Sequence, residues 1–76
     1  MNIKVNLIKD FMKKYGIKAY TLCSLCSLSR QSVKNVLNNS KNAKLHDLNK
    51  IAKLMEVDIS NLIENEDIKN IKNDQK

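Results

Sequence analysis

The sequence predicts an all-α fold of five short helices, and three features of the chain support this prediction. Apolar residues recur at intervals of three and four along most of the chain, which is the spacing of one face of an α-helix. No alternation of apolar and polar residues is long enough to indicate a strand. The 76 residues include one glycine and no proline, so the residues that build tight-turned β-proteins are scarce. A chain of this length is expected to form a single small domain.

The first helix is predicted over residues 3–15, with lysines on the side opposite its apolar face. That apolar face is predicted to contain Leu7, Ile8, Phe11, Met12 and Tyr15. Gly16 follows at the position where a left-handed residue ends a helix at low cost. A second, shorter helix is predicted over residues 19–26, with an apolar face formed by Leu22, Cys23 and Cys26.

The third helix is predicted from Arg30 to Leu37, directly after Ser29, whose hydroxyl suits an N-cap. Its inward face is predicted to contain Val33, Val36 and Leu37. The helix is expected to end in a polar turn, because Asn38 or Asn39 can adopt a left-handed conformation.

The fourth helix is predicted over residues 43–55, on an apolar face formed by Leu45, Leu48, Ile51, Ala52 and Met55. Asp58 is expected to cap a short fifth helix that carries Ile59, Leu62 and Ile63. Polar residues dominate from position 64 onward, so residues 64–76 are predicted to be a polar C-terminal extension. Within it, Ile68 and Ile71 either lengthen the last helix, pack on a partner chain or belong to a frayed tail.

The charge of the chain is distributed unevenly. Nine basic residues and one acidic residue lie in positions 1–46, whereas five basic and seven acidic residues lie in positions 47–76. A concentrated set of cations favours binding to a polyanion, because binding releases counterions. The alternative interpretation is a lysine-rich surface that is merely solvated.

The third helix carries the side chains that best indicate a function. It follows the second helix after a three-residue turn, and its inward valines leave a polar face exposed. That face is predicted to contain Arg30, Gln31 and Lys34, together with Ser32 and Asn35. Arginine pairs with guanine, glutamine or asparagine pairs with adenine, and lysine contacts guanine or phosphate. The five side chains are therefore candidates for reading bases in a major groove, and the alternative is an ordinary solvated helix face.

The run from Gly16 to Asn39 resembles the helix-turn-helix of the Cro and phage-repressor family, also called XRE-type regulators. The Leu22-Cys23 pair stands where the family has Leu-Ala, and Leu28-Ser29 stands where it has Val-Ser. The similarity extends over roughly residues 5–63. It implies a lambda-repressor-like domain over residues 1–63 and a function in sequence-specific binding of double-stranded DNA. It also implies a repressor-like transcriptional regulator of a bacterium, phage or mobile element.

Two departures from the family pattern lie in this run. Ala19 replaces a glutamine that contacts phosphate and braces the recognition helix in the family, so that brace must be absent or replaced. Ser27 replaces the turn glycine, which costs about 1 kcal/mol if the left-handed conformation is kept. The alternative is a slightly different turn. Tyr20 either stacks on a sugar-phosphate edge, donates a hydrogen bond to a phosphate or covers the core.

The resemblance also implies contacts with the DNA backbone and the formation of a homodimer. The candidates for phosphate contacts are Lys18, Tyr20, Ser29, Lys41 and Lys44. A single domain makes few base contacts, so we expect a homodimer on an inverted repeat with half-sites about 34 Å apart. Its dimer surface is expected on the fifth helix and on Ile68 or Ile71.

A second hypothesis keeps the same fold but assigns it a protein partner. Small mobile-element proteins of this family include antitoxins and anti-CRISPR proteins, and the segment at positions 9–22, KDFMKKYGIKAYTL, resembles the latter. In that case the basic half of the chain would bind an acidic protein surface or occupy a nucleic-acid channel. Fold alone does not decide between the two hypotheses.

Other classes of function find little support in the sequence. Cys23 and Cys26 have C-x-x-C spacing, but zinc requires four ligands and His46 is distant, so we expect core cysteines and no metal. His46 is expected at the surface near the start of the fourth helix. No catalytic set or phosphate-binding glycine loop is found, so no enzyme activity and no cofactor are expected. No apolar run approaches the roughly 20 residues of a membrane span, so the protein is expected in the cytoplasm.

Overall fold

A computed structural model describes residues 2–64 as four α-helices followed by a 3-10 turn. The helices are α1 (Val5–Tyr15), α2 (Ala19–Cys26), α3 (Arg30–Leu37) and α4 (Leu45–Met55), and the 3-10 turn spans Ile59–Leu62. The predicted all-α fold and the bounds of α2 and α3 are confirmed. The predicted fifth helix is only this single turn. Met1 and residues 65–76, which include Ile68 and Ile71, lie outside the described residues.

The hydrophobic core lies where the four helices and the 3-10 turn meet. Its most completely buried side chains are Ile8, Leu22, Val33, Val36, Leu48, Ile51 and Leu62. Burying one such side chain stabilises the fold by about 1.5–3 kcal/mol. Because α3 packs against α1, α2 and α4, its inner face is held on three sides. The outer face of α3 is thereby presented to solvent on a rigid support.

Three apolar residues that the helical spacing assigned to the core are exposed. Leu7 is 44% exposed, Tyr15 is 60% exposed and Leu45 is 55% exposed. Tyr15 lies against Phe11, with a distance of 4.9 Å between the ring centroids, but its outer side has no covering helix in residues 2–64. Leu45 is the first residue of α4 and projects beyond the packed part of that helix. Spacing therefore identified the correct faces but overestimated how much of each face is covered.

The two ends of the described chain pair with each other. Ile3 and Ile63 form an isolated antiparallel bridge. The Lys4 N–H donates to the Leu62 carbonyl at 2.8 Å, and the Glu64 N–H donates to the Asn2 carbonyl at 2.8 Å. This pairing explains why α1 begins at Val5 rather than at the predicted residue 3. Similarly, α4 begins at Leu45 rather than at residue 43, because the Ala43 N–H donates to the Ser40 carbonyl at 3.0 Å in the preceding turn.

Each of the four helices is followed within two residues by a left-handed residue, and the same pair of hydrogen bonds closes each end. The left-handed residues are Gly16 (φ 66°), Ser27 (φ 54°), Asn39 (φ 52°) and Glu56 (φ 60°). The next residue bonds back five positions, as from Ile17 to Met12 at 2.8 Å and from Leu28 to Cys23 at 2.9 Å. This is the Schellman motif, which satisfies carbonyls that the helix leaves free. Only one of the four left-handed positions is a glycine.

Candidate nucleic-acid interface

The pair α2 and α3 forms a helix-turn-helix, and its turn consists of Ser27, Leu28 and Ser29. Ser27 adopts the left-handed conformation expected of the turn glycine that it replaces, so the alternative of a slightly different turn is excluded. Leu28 is partly buried against the core. The turn therefore has an inward anchor, and α3 starts immediately after it.

Ser29 caps α3 as predicted. Its Oγ accepts a hydrogen bond from the Ser32 N–H at 3.1 Å and donates one to the Ser32 Oγ at 2.9 Å. A serine N-cap of this kind stabilises a helix by about 1 kcal/mol. Both hydroxyls are therefore engaged with each other at the start of α3. The Ser32 hydroxyl keeps its own proton for an external acceptor, and its side chain is half-buried.

The outer face of α3 carries the charged and amide groups that the sequence predicted. Val33 and Val36 are buried, whereas Arg30, Gln31 and Lys34 are exposed. Asn35 is half-buried at the edge of this face. The predicted division of α3 into an inward and an outward side is therefore confirmed.

Tyr20 joins this outer face from the first turn of α2. Its side chain is 60% exposed, so it does not cover the core, and that interpretation is excluded. An open groove of about 450 Å³ separates the start of α2 from α3. The groove is lined by Ala19, Tyr20, Cys23, Arg30, Val33, Lys34, Leu37 and Asn38. The structure thus brings Tyr20, Arg30 and Lys34 together.

Sequence reasoning missed the contribution of Asn38 to this groove. Arg30, Lys34 and Asn38 are spaced four residues apart, and such residues follow one side of a helix. The spacing was therefore a usable signal. The sequence analysis assigns Asn38 only to the turn after α3.

Gln31 and Asn35 lie one turn apart on α3, and their side chains are hydrogen-bonded. The Gln31 Nε2 donates to the Asn35 Oδ1 at 2.9 Å. Ala19, at the start of α2, ends in a methyl group and offers no hydrogen bond to this amide. The Gln31 amide is therefore held by its own helix.

The three candidate lysines for phosphate contacts are exposed at the edges of the motif. Lys18 immediately precedes α2, Lys41 lies in the loop after α3, and Lys44 immediately precedes α4. No acidic residue occurs in the sequence between Asp10 and Asp47. The positive charge of α2, α3 and the two adjoining loops is therefore not offset by any acidic residue of their own.

The two cysteines belong to the packing of α2. Both are free thiols, Cys26 is buried and Cys23 is partly buried. Burial raises the pKa of the Cys26 thiol, repulsion from Cys23 raises it further, and the nearby Lys50 opposes the rise. Over residues 2–64, no group of three or more histidine, cysteine or acidic residues is placed to hold a metal ion. His46 is exposed, as predicted.

A family model described as the Cro/C1-type helix-turn-helix DNA-binding domain matches residues 7–67. The chain belongs to the Cro/C1-type helix-turn-helix family. The resemblance to this family is therefore confirmed, and with it a DNA-binding domain with a regulator-like role. The chain shows no significant match to a curated protein or to a solved structure.

None of the helices within residues 2–64 of this Cro/C1-type domain has the length and apolar character needed to cross a membrane.

Proposed function

We propose that this Cro/C1-type domain binds double-stranded DNA in a sequence-specific manner and acts as a repressor-like transcriptional regulator. The observation that carries the proposal is the outer face of α3, where Arg30, Gln31 and Lys34 are exposed on a rigidly packed helix. These groups match the hydrogen-bonding edges of bases in the major groove. A bacterial, phage or mobile-element origin and action in the cytoplasm belong to the same proposal.

The proposed binding mode places α3 in the major groove and the flanking lysines on the phosphates. Lys18, Lys41 and Lys44 lie on loops beside the motif, and Tyr20 adds a hydroxyl group. The Ser29 hydroxyl, which donates to Ser32, is proposed to contact a phosphate by exchanging that bond on binding. Six lysine–phosphate contacts in a dimer correspond to a slope of roughly −5 in a plot of log affinity against log salt concentration. Phosphate contacts fix the register of the helix, and base contacts supply the sequence preference.

We propose a homodimer on an inverted repeat, with half-sites about 34 Å apart. The 3-10 turn Ile59–Leu62 is the proposed centre of the dimer surface, and the adjacent Val57 is 37% exposed. Ile68 and Ile71, which were expected to contribute, lie outside the described residues. Sedimentation with and without the selected duplex tests this part, and a single protomer bound to a non-repeated site would contradict it.

The main experiment is selection of bound duplexes from a random pool, followed by affinity measurements on the selected site. Arg30→Ala is expected to weaken binding by about 1–3 kcal/mol and to relax the preference at one base pair. Lys41→Ala is expected to weaken binding to all duplexes about equally and to reduce the salt slope by about 1 per protomer.

Lys53→Ala is the matched control, because it removes the same charge from an exposed site. Lys53 lines a separate groove with Leu25 and Ser27, at the opposite end of α2 from Tyr20. Its removal is expected to change affinity far less than the loss of Lys41. Selection that enriches no motif, or an unchanged preference in Arg30→Ala, would overturn the proposed base reading.

A protein partner is the second candidate function, and the groove between α2 and α3 favours it. The groove combines the half-buried side chain of Leu37 and the exposed ring of Tyr20 with the cations of Arg30 and Lys34. That combination suits an acidic protein surface with an apolar side chain at its centre. A salt series distinguishes the candidates, because a specific DNA reader loses affinity steeply with salt but retains its sequence preference.

A further inference from the structure

The bond between Gln31 and Asn35 has a consequence for base recognition. It lies on the outer face of α3 and joins two neutral amides at 2.9 Å. Gln31 is exposed and Asn35 is half-buried. An exposed pair of this kind adds little to the stability of a helix. Its effect is instead to restrict the orientation of the more exposed amide.

The groups left free by this bond differ between the two residues. A primary amide has two N–H donors and one carbonyl oxygen. Gln31 commits one donor, so its second N–H and its Oε1 remain available. Asn35 commits its Oδ1 to Gln31, which leaves its two N–H donors. Gln31 therefore keeps the donor–acceptor pair, whereas the oxygen of Asn35 is already engaged.

The free edge of Gln31 is the complement of an adenine. In the major groove, adenine presents an N6 amino donor beside the N7 acceptor. The Gln31 Oε1 can accept from N6 while its free N–H donates to N7. In the observed conformation the Asn35 Oδ1 faces Gln31, and because that oxygen accepts only donors, it holds the Gln31 amide with its nitrogen toward Asn35. An unrestrained glutamine would sample both orientations of its amide.

No other side chain of the helix-turn-helix is seen to accept a hydrogen bond from the Gln31 amide. Ala19 has no polar side-chain atom, and Ser32 is engaged with Ser29 at the N-cap. Arg30 and Lys34 carry donors only, so neither can accept a bond from the Gln31 N–H. The partner of Gln31 is therefore supplied within α3, one turn further along the helix.

We infer that Gln31 reads an adenine of the binding site and that Asn35 is a positioning residue that orients the Gln31 amide, rather than a second base reader. The inference rests on the proposed function, since it requires α3 to lie in a major groove. On this inference the preference for one base pair depends on both Gln31 and Asn35, although only Gln31 contacts that base pair.

The test is a double-mutant cycle on the duplex obtained by selection. Wild type, Gln31→Ala, Asn35→Ala and the double variant are titrated against that duplex and against duplexes with each base pair replaced in turn. Gln31→Ala is expected to remove discrimination of roughly 10- to 100-fold at one adenine. Asn35→Ala is expected to reduce discrimination at the same adenine roughly three- to tenfold, and the double variant is expected to match Gln31→Ala alone.

Conservative variants separate positioning from loss of structure. Asn35→Asp keeps an acceptor oxygen, and its added charge weakens all duplexes alike, so the ratio of matched to mismatched affinity is expected to be retained. Asn35→Leu is similar in size but lacks the acceptor, so that ratio is expected to fall as in Asn35→Ala. Replacing the adenine with 7-deazaadenine removes N7, which is expected to weaken binding of the wild type but not of Gln31→Ala.

The outcomes distinguish this inference from the proposed function. If Asn35→Ala relaxes a different base pair, or if its effect adds to that of Gln31→Ala, the inference is overturned while DNA binding stands. If Asn35→Leu retains the discrimination of the wild type, the acceptor oxygen has no role and the inference is again overturned. If selection enriches no duplex, the proposed function fails, and the inference fails with it.

Discussion

Replacing Ser27 with glycine is expected to stabilise the protein, because Ser27 holds a left-handed conformation at the centre of the helix-turn-helix. Its φ is 54° and its ψ is 44°. A side chain with a Cβ is strained there, whereas glycine is not. The hydrogen bonds that close α2 come from the backbone, from Ser27 to Ser24 and from Leu28 to Cys23, so the substitution retains them.

The size of the effect follows from two opposing contributions. Relief of the left-handed strain is worth about 1–2 kcal/mol. The extra freedom that glycine gives the unfolded chain costs about 0.4–1 kcal/mol. The net gain in the free energy of unfolding is therefore about 1 kcal/mol, which raises Tm by roughly 4–8 °C in a domain of this size.

Thermal and urea unfolding, followed by circular dichroism, measure this change. Glu56→Gly is the parallel variant, because Glu56 has a φ of 60° at the end of α4. Gly16→Ala is the reverse variant, since an added Cβ meets no atom within 4 Å and only the backbone strain at φ 66° remains. We expect it to lower Tm by a similar amount.

Asn39→Gly serves as the control that separates strain from side-chain contacts. Asn39 also has a positive φ, but its Oδ1 accepts a hydrogen bond from the Ile3 N–H at 2.9 Å. Removing that acceptor is expected to cancel the gain. A Ser27→Gly protein that unfolds at or below the wild-type temperature would refute the assignment of strain to this turn.

Three further outcomes are expected. Ser29→Ala removes the N-cap acceptor of α3 and is expected to cost about 1 kcal/mol of stability, measured by urea unfolding; no loss would contradict the cap. Ile51→Ala opens the core at a fully buried site and is expected to cost about 2–5 kcal/mol, whereas Leu45→Ala, at an exposed site, is expected to cost much less. Because burial raises the pKa of Cys26 in the folded state, the free energy of unfolding is expected to fall as the pH rises through the range in which thiols titrate. Cys26→Ala is expected to make that fall smaller. An equal fall in both proteins would show that the Cys26 thiol is not its cause.

The elements around the helix-turn-helix were predictable because their signals are local. Ser29 caps α3 with its own side chain, and Gly16 ends α1 by its backbone conformation, so each boundary is encoded within a few residues. The outward face of α3 was likewise predictable from the positions of Val33 and Val36.

Features that depend on distant parts of the chain were not predictable. The start of α1 depends on the pairing of Ile3 with Ile63, which lie 60 positions apart and show no strand pattern. The exposure of Leu7 depends on where neighbouring helices stop, and spacing within α1 carries no information about that. In the candidate interface, the four-residue spacing of Gln31 and Asn35 permits a hydrogen bond between them, but only the positions of the two side chains show that it forms.

The anchoring of Ile3 limits where a reporter or affinity handle is best attached to this protein. The Ile3 N–H bonds to Asn39, in the loop that leads from α3 toward Lys41, while the flanking backbone pairs with residues 62–64. A fusion that strains residues 2–4 would thus pull on the segment that follows α3. Labels for binding assays are better placed on the exposed side of α1, for example at Asp10, where the attachment leaves this junction undisturbed.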